Sequence, residues 1–310
     1  MKKPLIIIAG PTAVGKTGIS IKLAKELNGE IISADSMQVY KGMDIGTAKI
    51  KPEEMQGIKH YMIDEYEPDF DFNVVIFKNK VKGYIDEIHS KGKIPILVGG
   101  TGFYIQSVLY DIDFSENSDN TAIREKLTKL AEEKGNKYLH DYLFTIDEES
   151  AKAIHPNNTK RVIRAIEYYE LTGEKISEHN EEQRKNEAYY DARFFVLNDK
   201  RERLYENIDK RIDIMLDEGL IDEVKTLYKK GYNKDYVSMQ GLGYKEIIDY
   251  LEGRCTLEEA VYILKRDTRH FAKRQLTWFR REKDIIYVNK WEFSYNEDKI
   301  LDYMMSNINF

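Results

Sequence analysis

Along the first hundred residues the apolar positions fall into two alternating patterns. Short apolar runs at Leu5-Ile6-Ile7-Ile8-Ala9, Glu30-Ile31-Ile32-Ser33-Ala34 and Ile94-Pro95-Ile96-Leu97-Val98 predict buried strands. Between them, Ile19, Leu23 and Leu27 recur at helical spacing within 18–27. Val74, Phe77, Val81, Ile85 and Ile88 do so within 74–89. Both segments predict helices with one apolar face. Strand and helix in alternation predict an α/β layer built on a parallel sheet.

The pattern changes near Asp111. Ser115-Glu116-Asn117-Ser118-Asp119-Asn120 forms a polar break, and charged helical segments follow to about residue 190. A strand-like run, Arg193-Phe194-Phe195-Val196-Leu197, then suggests that the sheet resumes. The expected organisation is a core over 1–112, a helical insertion over 113–192, and the rest of the core over 193–310, nearly all helix beyond Asp199. Leu204, Ile208, Ile212, Met215 and Leu216 form a stripe with Arg211 at its edge. Thr256-Leu257-Glu258-Glu259 is a capping box opening the last long helix. There Val261, Leu264, Phe271 and Trp278 mark one face, and Arg266, Arg269, Lys273 and Arg280 the opposite one.

Composition narrows the function classes. One cysteine, Cys255, excludes an intrachain disulfide and a thiolate zinc site, which suits a reducing cytoplasm. The six histidines lack metal-ligand spacing. No apolar run is long enough to span a bilayer, so no membrane partner is expected. The net charge of −6, from 48 Lys+Arg against 54 Asp+Glu, argues against a broadly basic nucleic-acid binder. That average conceals two basic clusters. Lys160, Arg161 and Arg164 share a predicted helix with Tyr168, and Arg266, Arg269, Lys273, Arg274, Arg280 and Arg281 lie along the last one. Such clusters beside aromatics suit a phosphate backbone with unstacked bases, though each alone also fits a solvated helix face.

Gly10-Pro11-Thr12-Ala13-Val14-Gly15-Lys16-Thr17 matches the phosphate-loop pattern fully, after a buried strand and before a helix. The glycines let several backbone N–H groups point at one anion, Lys16 adds a point charge, and the Thr17 hydroxyl suits Mg²⁺. The loop specifies a polyphosphate and not which one. Asn79-Lys80-Val81-Lys82 lacks the final acid of a guanine reader, and the strand at Ile94–Val98 runs into Gly99-Gly100-Thr101 where an NTPase would carry a metal-binding acid. Asp35 follows the second strand and would share the loop's edge of the sheet with Thr101. It suits either a general base or a helix N-cap. Ser36, Gln38 and Thr101 suit the edge of a base, and Asp64 a cap or a group supporting a metal site.

Together these blocks resemble the bacterial tRNA dimethylallyltransferase family (tRNA isopentenyltransferases) nearly end to end. The most specific are Asp35-Ser36-Met37-Gln38-Val39-Tyr40 and Lys273-Arg274-Gln275-Leu276-Thr277-Trp278-Phe279-Arg280. Asp44-Ile45-Gly46-Thr47-Ala48-Lys49, His155-Pro156-Asn157, Arg161 to Ala165 and Gly243-Tyr244 extend the match. Tyr61 and Gln240 depart from the family pattern. The resemblance implies a P-loop NTPase-like core with a helical insertion domain for tRNA. It also implies transfer of a dimethylallyl group from its diphosphate to N6 of the adenine 3′ of the anticodon, with Mg²⁺ as cofactor. By position, Asp35 is then the base, and Thr101, Lys16 and Arg211 serve the reaction centre. Residues Gly10 to Thr17 hold the diphosphate. Asp35, Ser36, Met37, Gln38, Thr101, Arg124, Lys160, Arg161, Val162, Ile163, Arg164, Gly243, Tyr244, Lys273, Arg274 and Gln275 face the tRNA anticodon stem-loop. A cytoplasmic monomer is expected. The competing classes are a small-molecule kinase, a non-catalytic RNA-binding nucleotide switch, and a prenyltransferase acting on free adenosine nucleotides.

Overall fold

The computed structural model describes residues 2–114, 121–183 and 185–310; the polar break at 115–120 lies outside them. The chain divides into two compact units, Met1–Leu109 with Ala188–Phe310, and Tyr110–Glu187. The second unit spans 110–187 where 113–192 was expected, and the returning strand begins at Asp191.

The first unit is an α/β fold. Its strands are β1 (Pro4–Ala9), β2 (Gly29–Ser33), β3 (His60–Tyr61), β4 (Ile94–Gly99), β5 (Asp191–Asn198) and β6 (Ile285–Asn289). Among the described residues they form one parallel sheet in the order β3-β2-β4-β1-β5-β6. Leu5 to Ile8 are fully buried, as a central parallel strand covered on both faces requires. Pro4 opens β1, where its missing N–H costs least. Strand β6 corrects the expectation of an almost wholly helical C-terminal region. It is an edge strand, largely half-buried, and so lacks the unbroken burial that marks β1.

Chain connectivity leaves β1 towards β2 on one side, while β5 and β6 lie on its other side. The loop after β1 therefore opens at the carboxyl edge where the strand order reverses, the usual ligand position in such sheets. Gly99 follows from this packing, because a Cβ there would collide with the Ala34 carbonyl oxygen. Helix Leu257–Phe279 starts on the expected box, with Thr256 and Glu259 capping each other, and packs Ala260, Leu264, Ala272, Gln275 and Phe279 inward.

The second unit is helical, with helices Thr121–Lys134, Asn136–Ile146, Glu148–Ala153, Thr159–Thr172 and Ile176–Gln183. Its core contains Leu127, Leu139, Leu143, Val162 and Ile166. The helix after Pro156 ends at Gly173 in the left-handed region (φ 75°), which glycine adopts without strain. Among the described residues, no helix of either unit is long and apolar enough to cross a membrane.

Candidate active site

The phosphate loop connects β1 to helix Lys16–Glu26. Gly15 stands at φ 92°, a conformation that a side chain would strain. The Lys16 ammonium folds back to donate to the carbonyls of Gly10 (3.0 Å) and Pro11 (2.9 Å). Burial pushes its pKa down to about 7, the Arg211 guanidinium adds to that shift, and Asp35 opposes it. Burial likewise lowers the pKa of Arg211. Two cations and one carboxylate thus share a poorly solvated corner beside the loop. A bound polyphosphate would favour the charged form of Lys16, so anion binding is expected to be accompanied by proton uptake. Titrating inorganic diphosphate into the protein at pH 8, in two buffers of different ionisation enthalpy, should show net proton uptake. Affinity should weaken as pH rises above about 7. Uptake near zero would show that Lys16 is already charged in the free protein.

A cleft of about 310 Å³ opens beside the loop. Thr12, Asp35, Ser36, Thr101, Arg211 and Arg274 are among its polar lining residues. Ile208, Ile212, Met215, Leu242, Leu264 and Phe271 supply apolar walls. The helix stripe seen from periodicity therefore has two uses: Leu204 lies in the core, while Met215 turns its flank to the cleft.

Asp35 Oδ1 accepts hydrogen bonds from the backbone N–H groups of Met37 (2.8 Å) and Gln38 (3.3 Å). Among the described residues no helix follows Asp35 before β3, so it is not the helix N-cap its position also allowed; it braces a turn while lining the cleft. One oxygen braces the turn, and among the described residues the other accepts no hydrogen bond.

Several residues expected at the surface are differently employed. Gln275 is buried: Oε1 accepts from the Thr12 N–H and Nε2 donates to the Gly100 carbonyl, both at 2.9 Å. It welds the phosphate loop to the turn after β4 and is not a tRNA-facing group. Gln38 Nε2 donates to the Thr47 carbonyl, and Oε1 accepts from Ser33. Its amide braces the loop at residues 47–48 from a half-buried position. Asp64 pairs with the buried Lys49 ammonium at 2.5 Å. The hydroxyl of Tyr61, the departure from the family pattern, lies between the Glu30 (2.7 Å) and Glu87 (2.9 Å) carboxylates, to one of which it donates its proton, and accepts from Lys91. Met37 and Gly243 line the cleft, as does the wholly buried Tyr244. Lys273 is exposed outside it.

In the helical unit, Lys160 and Arg161 are exposed. Arg124 and Arg164 both bond the fully buried Glu167 carboxylate, at 2.9 and 3.4 Å. Val162 and Ile163 belong to the hydrophobic core, which corrects their assignment to tRNA contact. Their β-branched side chains fill the interior between the arginines on either side in sequence. Tyr168 is buried too, its ring 5.3 Å from His179, and so is withdrawn from base stacking.

The charged corner holds the oxygen donors that a hard cation needs only in part. Thr17 is exposed at the loop's end, and among the described residues no group of three acidic, histidine or cysteine side chains could hold an ion alone. With the Thr17 hydroxyl as a single protein oxygen there, a hard cation would have to take most of its ligands from phosphate oxygens and water.

A phosphate loop between β1 and a helix, with an aspartate beside it on a half-apolar cleft, defines the first unit as a P-loop fold. The comparisons narrow that class. The IPP transferase family model matches residues 38–282. The tRNA dimethylallyltransferase of Lachnoclostridium phytofermentans is 65% identical over 296 residues, covering 96% of this chain and 94% of that one. The enzyme of the same name from Acetivibrio thermocellus is 54% identical over 297 residues, covering 96% and 95%. Among solved structures, tRNA delta(2)-isopentenylpyrophosphate transferase from Staphylococcus epidermidis superposes with a TM-score of 0.74 at 48% identity, covering 99% of each chain. A eukaryotic dimethylallyltransferase acting on tRNA does so with a TM-score of 0.83 at 32% identity, covering 99% of this chain and 81% of that one. The chain belongs to the IPP transferase family.

Proposed function

We propose that this chain transfers a dimethylallyl group from dimethylallyl diphosphate to N6 of the adenine 3′ of the anticodon in tRNA, releasing diphosphate. The observation that carries this reading is the convergence of Thr12 and Ala13 of the phosphate loop, Asp35, Thr101 and Arg211 on one cleft with apolar walls. The apolar side suits a five-carbon chain and the charged side its diphosphate.

The adenine amine is a weak nucleophile because its lone pair is delocalised into the ring. As the N6–carbon bond forms, the carbon–oxygen bond to diphosphate breaks, and the N6 proton passes to the free oxygen of Asp35. Negative charge grows on the departing diphosphate, where Lys16, Arg211 and loop N–H groups stabilise it. Bound Mg²⁺ would neutralise part of that charge, with Thr17 as its protein ligand. Thr101 lines the cleft where the base is held. The target adenine normally stacks, so it must be flipped out, at about a few kcal/mol. Arg274 at the cleft, Lys273 beside it, and Lys160, Arg161, Arg164 and Arg124 of the helical unit provide the phosphate contacts that offset this cost. We take the enzyme to act as a cytoplasmic monomer.

Incubation with labelled dimethylallyl diphosphate, without ATP, should label tRNA and leave AMP unlabelled. Labelled AMP would favour the free-nucleotide prenyltransferase. An absolute requirement for ATP would favour a kinase. The pair Lys273→Ala and Arg274→Ala should weaken tRNA binding and flatten the slope of log affinity against log salt by about 1–2. An unchanged slope would remove both residues from the RNA contact.

A further inference from the structure

A short loop, residues 44–49, supplies one wall of the cleft through Gly46, Thr47 and Ala48. Its own contacts, from the Thr47 hydroxyl to the Met43 carbonyl and from Lys49 to Asp44, close the loop but leave the N–H groups of Asp44, Ile45 and Gly46 to be satisfied from elsewhere. Their acceptor is a single carboxylate far away in the chain, Glu223 in the first turn of helix Leu220–Lys229. Its Oε2 accepts the backbone N–H groups of Asp44 (2.9 Å) and Ile45 (2.7 Å). Its Oε1 accepts that of Gly46 (3.1 Å) and the hydroxyl of Tyr244 (2.7 Å). Three successive N–H groups converging on one anion form a backbone nest, and here the anion belongs to the protein.

The fourth partner gives the arrangement its functional reach. Tyr244 is wholly buried, and its ring lies against Gly46 so closely that a Cβ at Gly46 would stand 2.6 Å from it. Gly46 and Tyr244 both line the cleft, whereas Glu223 does not. The far end of the loop is tied separately. Gln38 donates to the Thr47 carbonyl, and the buried Lys49 ammonium bonds Asp44 and Asp64. Glu223 thus holds two facing pieces of one wall to each other from behind.

We propose that Glu223 is a positioning residue for the transfer reaction, setting the wall formed by Gly46, Thr47, Ala48 and Tyr244 against which the reacting groups are aligned. This rests on the prenyl-transfer reading above. All four partners donate, so only an acceptor with both oxygens available satisfies them. Glu223→Gln keeps the size but points an amide N–H at a backbone N–H. The phosphate loop makes none of these contacts, so the donor site should be untouched.

The test compares Glu223→Gln, Glu223→Asp and Tyr244→Phe with the wild-type full chain. Labelled dimethylallyl diphosphate and tRNA are the substrates, well below each variant's melting temperature. Glu223→Gln should lose at least about tenfold in kcat, as misplaced reacting groups do, with KM for dimethylallyl diphosphate within about twofold. Glu223→Asp, which keeps the charge, should recover part of the loss. Tyr244→Phe, which removes one bond of four, should show a smaller loss in the same direction. Hydrogen exchange at the Asp44, Ile45 and Gly46 amides should quicken in Glu223→Gln. Wild-type kcat in that variant overturns the proposal, as does a loss that only follows the unfolded fraction or a matching rise in donor KM. Absence of prenyl transfer by the wild-type protein would instead overturn the functional reading, since the exchange measurement reads the clamp without turnover.

Discussion

Asp35→Asn is expected to lower prenyl transfer by about 10²–10⁴-fold while tRNA affinity stays within a few-fold. Asparagine is the informative replacement because of what Oδ1 does. That oxygen holds the Met37 and Gln38 N–H groups, and an amide oxygen can take over both bonds. The turn at the end of β2 therefore survives, and what disappears is the acceptor facing the cleft. Asp35→Ala would remove both turn hydrogen bonds as well, adding a loss of about 1–2 kcal/mol in local stability. Comparison of the two variants by turnover and thermal melting separates proton removal from turn geometry. Near-normal turnover in Asp35→Asn would take the base role away from this residue.

Lys16→Met is expected to reduce turnover by about 10²–10³-fold, the usual effect of removing one donor from a developing anion. The loss should fall on donor binding and diphosphate departure, with tRNA affinity preserved. The same variant should abolish the proton uptake on diphosphate binding, because the group whose pKa stands near 7 is gone. Arg211, relieved of a neighbouring cation, stays charged and leaves the residual activity. Single-turnover kinetics with calorimetry check both parts. A variant that still takes up a proton on binding would assign that proton to another group.

Much of the sheet is legible from burial alone. Strands β1, β2, β4 and β5 have continuous buried runs, and such runs stand out in any window of the chain. Strand β6 does not, because an edge position leaves Tyr287 exposed and its neighbours half-covered. The phosphate loop is legible because its spacing encodes a backbone shape. Asp35 is legible because it ends a strand at the loop's own edge. What stays hidden is the work done by pairs distant in sequence. Gln275 meets Thr12, and Glu223 meets residues 44–46, across gaps that no local pattern spans. Matching a family block identifies Lys273 to Gln275 as a unit, yet a helix turns by about 100° per residue. Arg274 consequently reaches the cleft, Lys273 lies outside it, and Gln275 is buried between two loops. Val162 and Ile163 fall among arginines for the same reason, two residues inward and their neighbours outward.

The most direct test is to digest tRNA labelled by the wild-type protein from dimethylallyl diphosphate, without ATP, and identify the modified nucleoside and its position. The account predicts label confined to N6-(dimethylallyl)adenosine, located 3′ of the anticodon and absent when an anticodon stem-loop carries guanine at that position. Label on another atom or another nucleotide, or undiminished labelling of the guanine stem-loop, would contradict it.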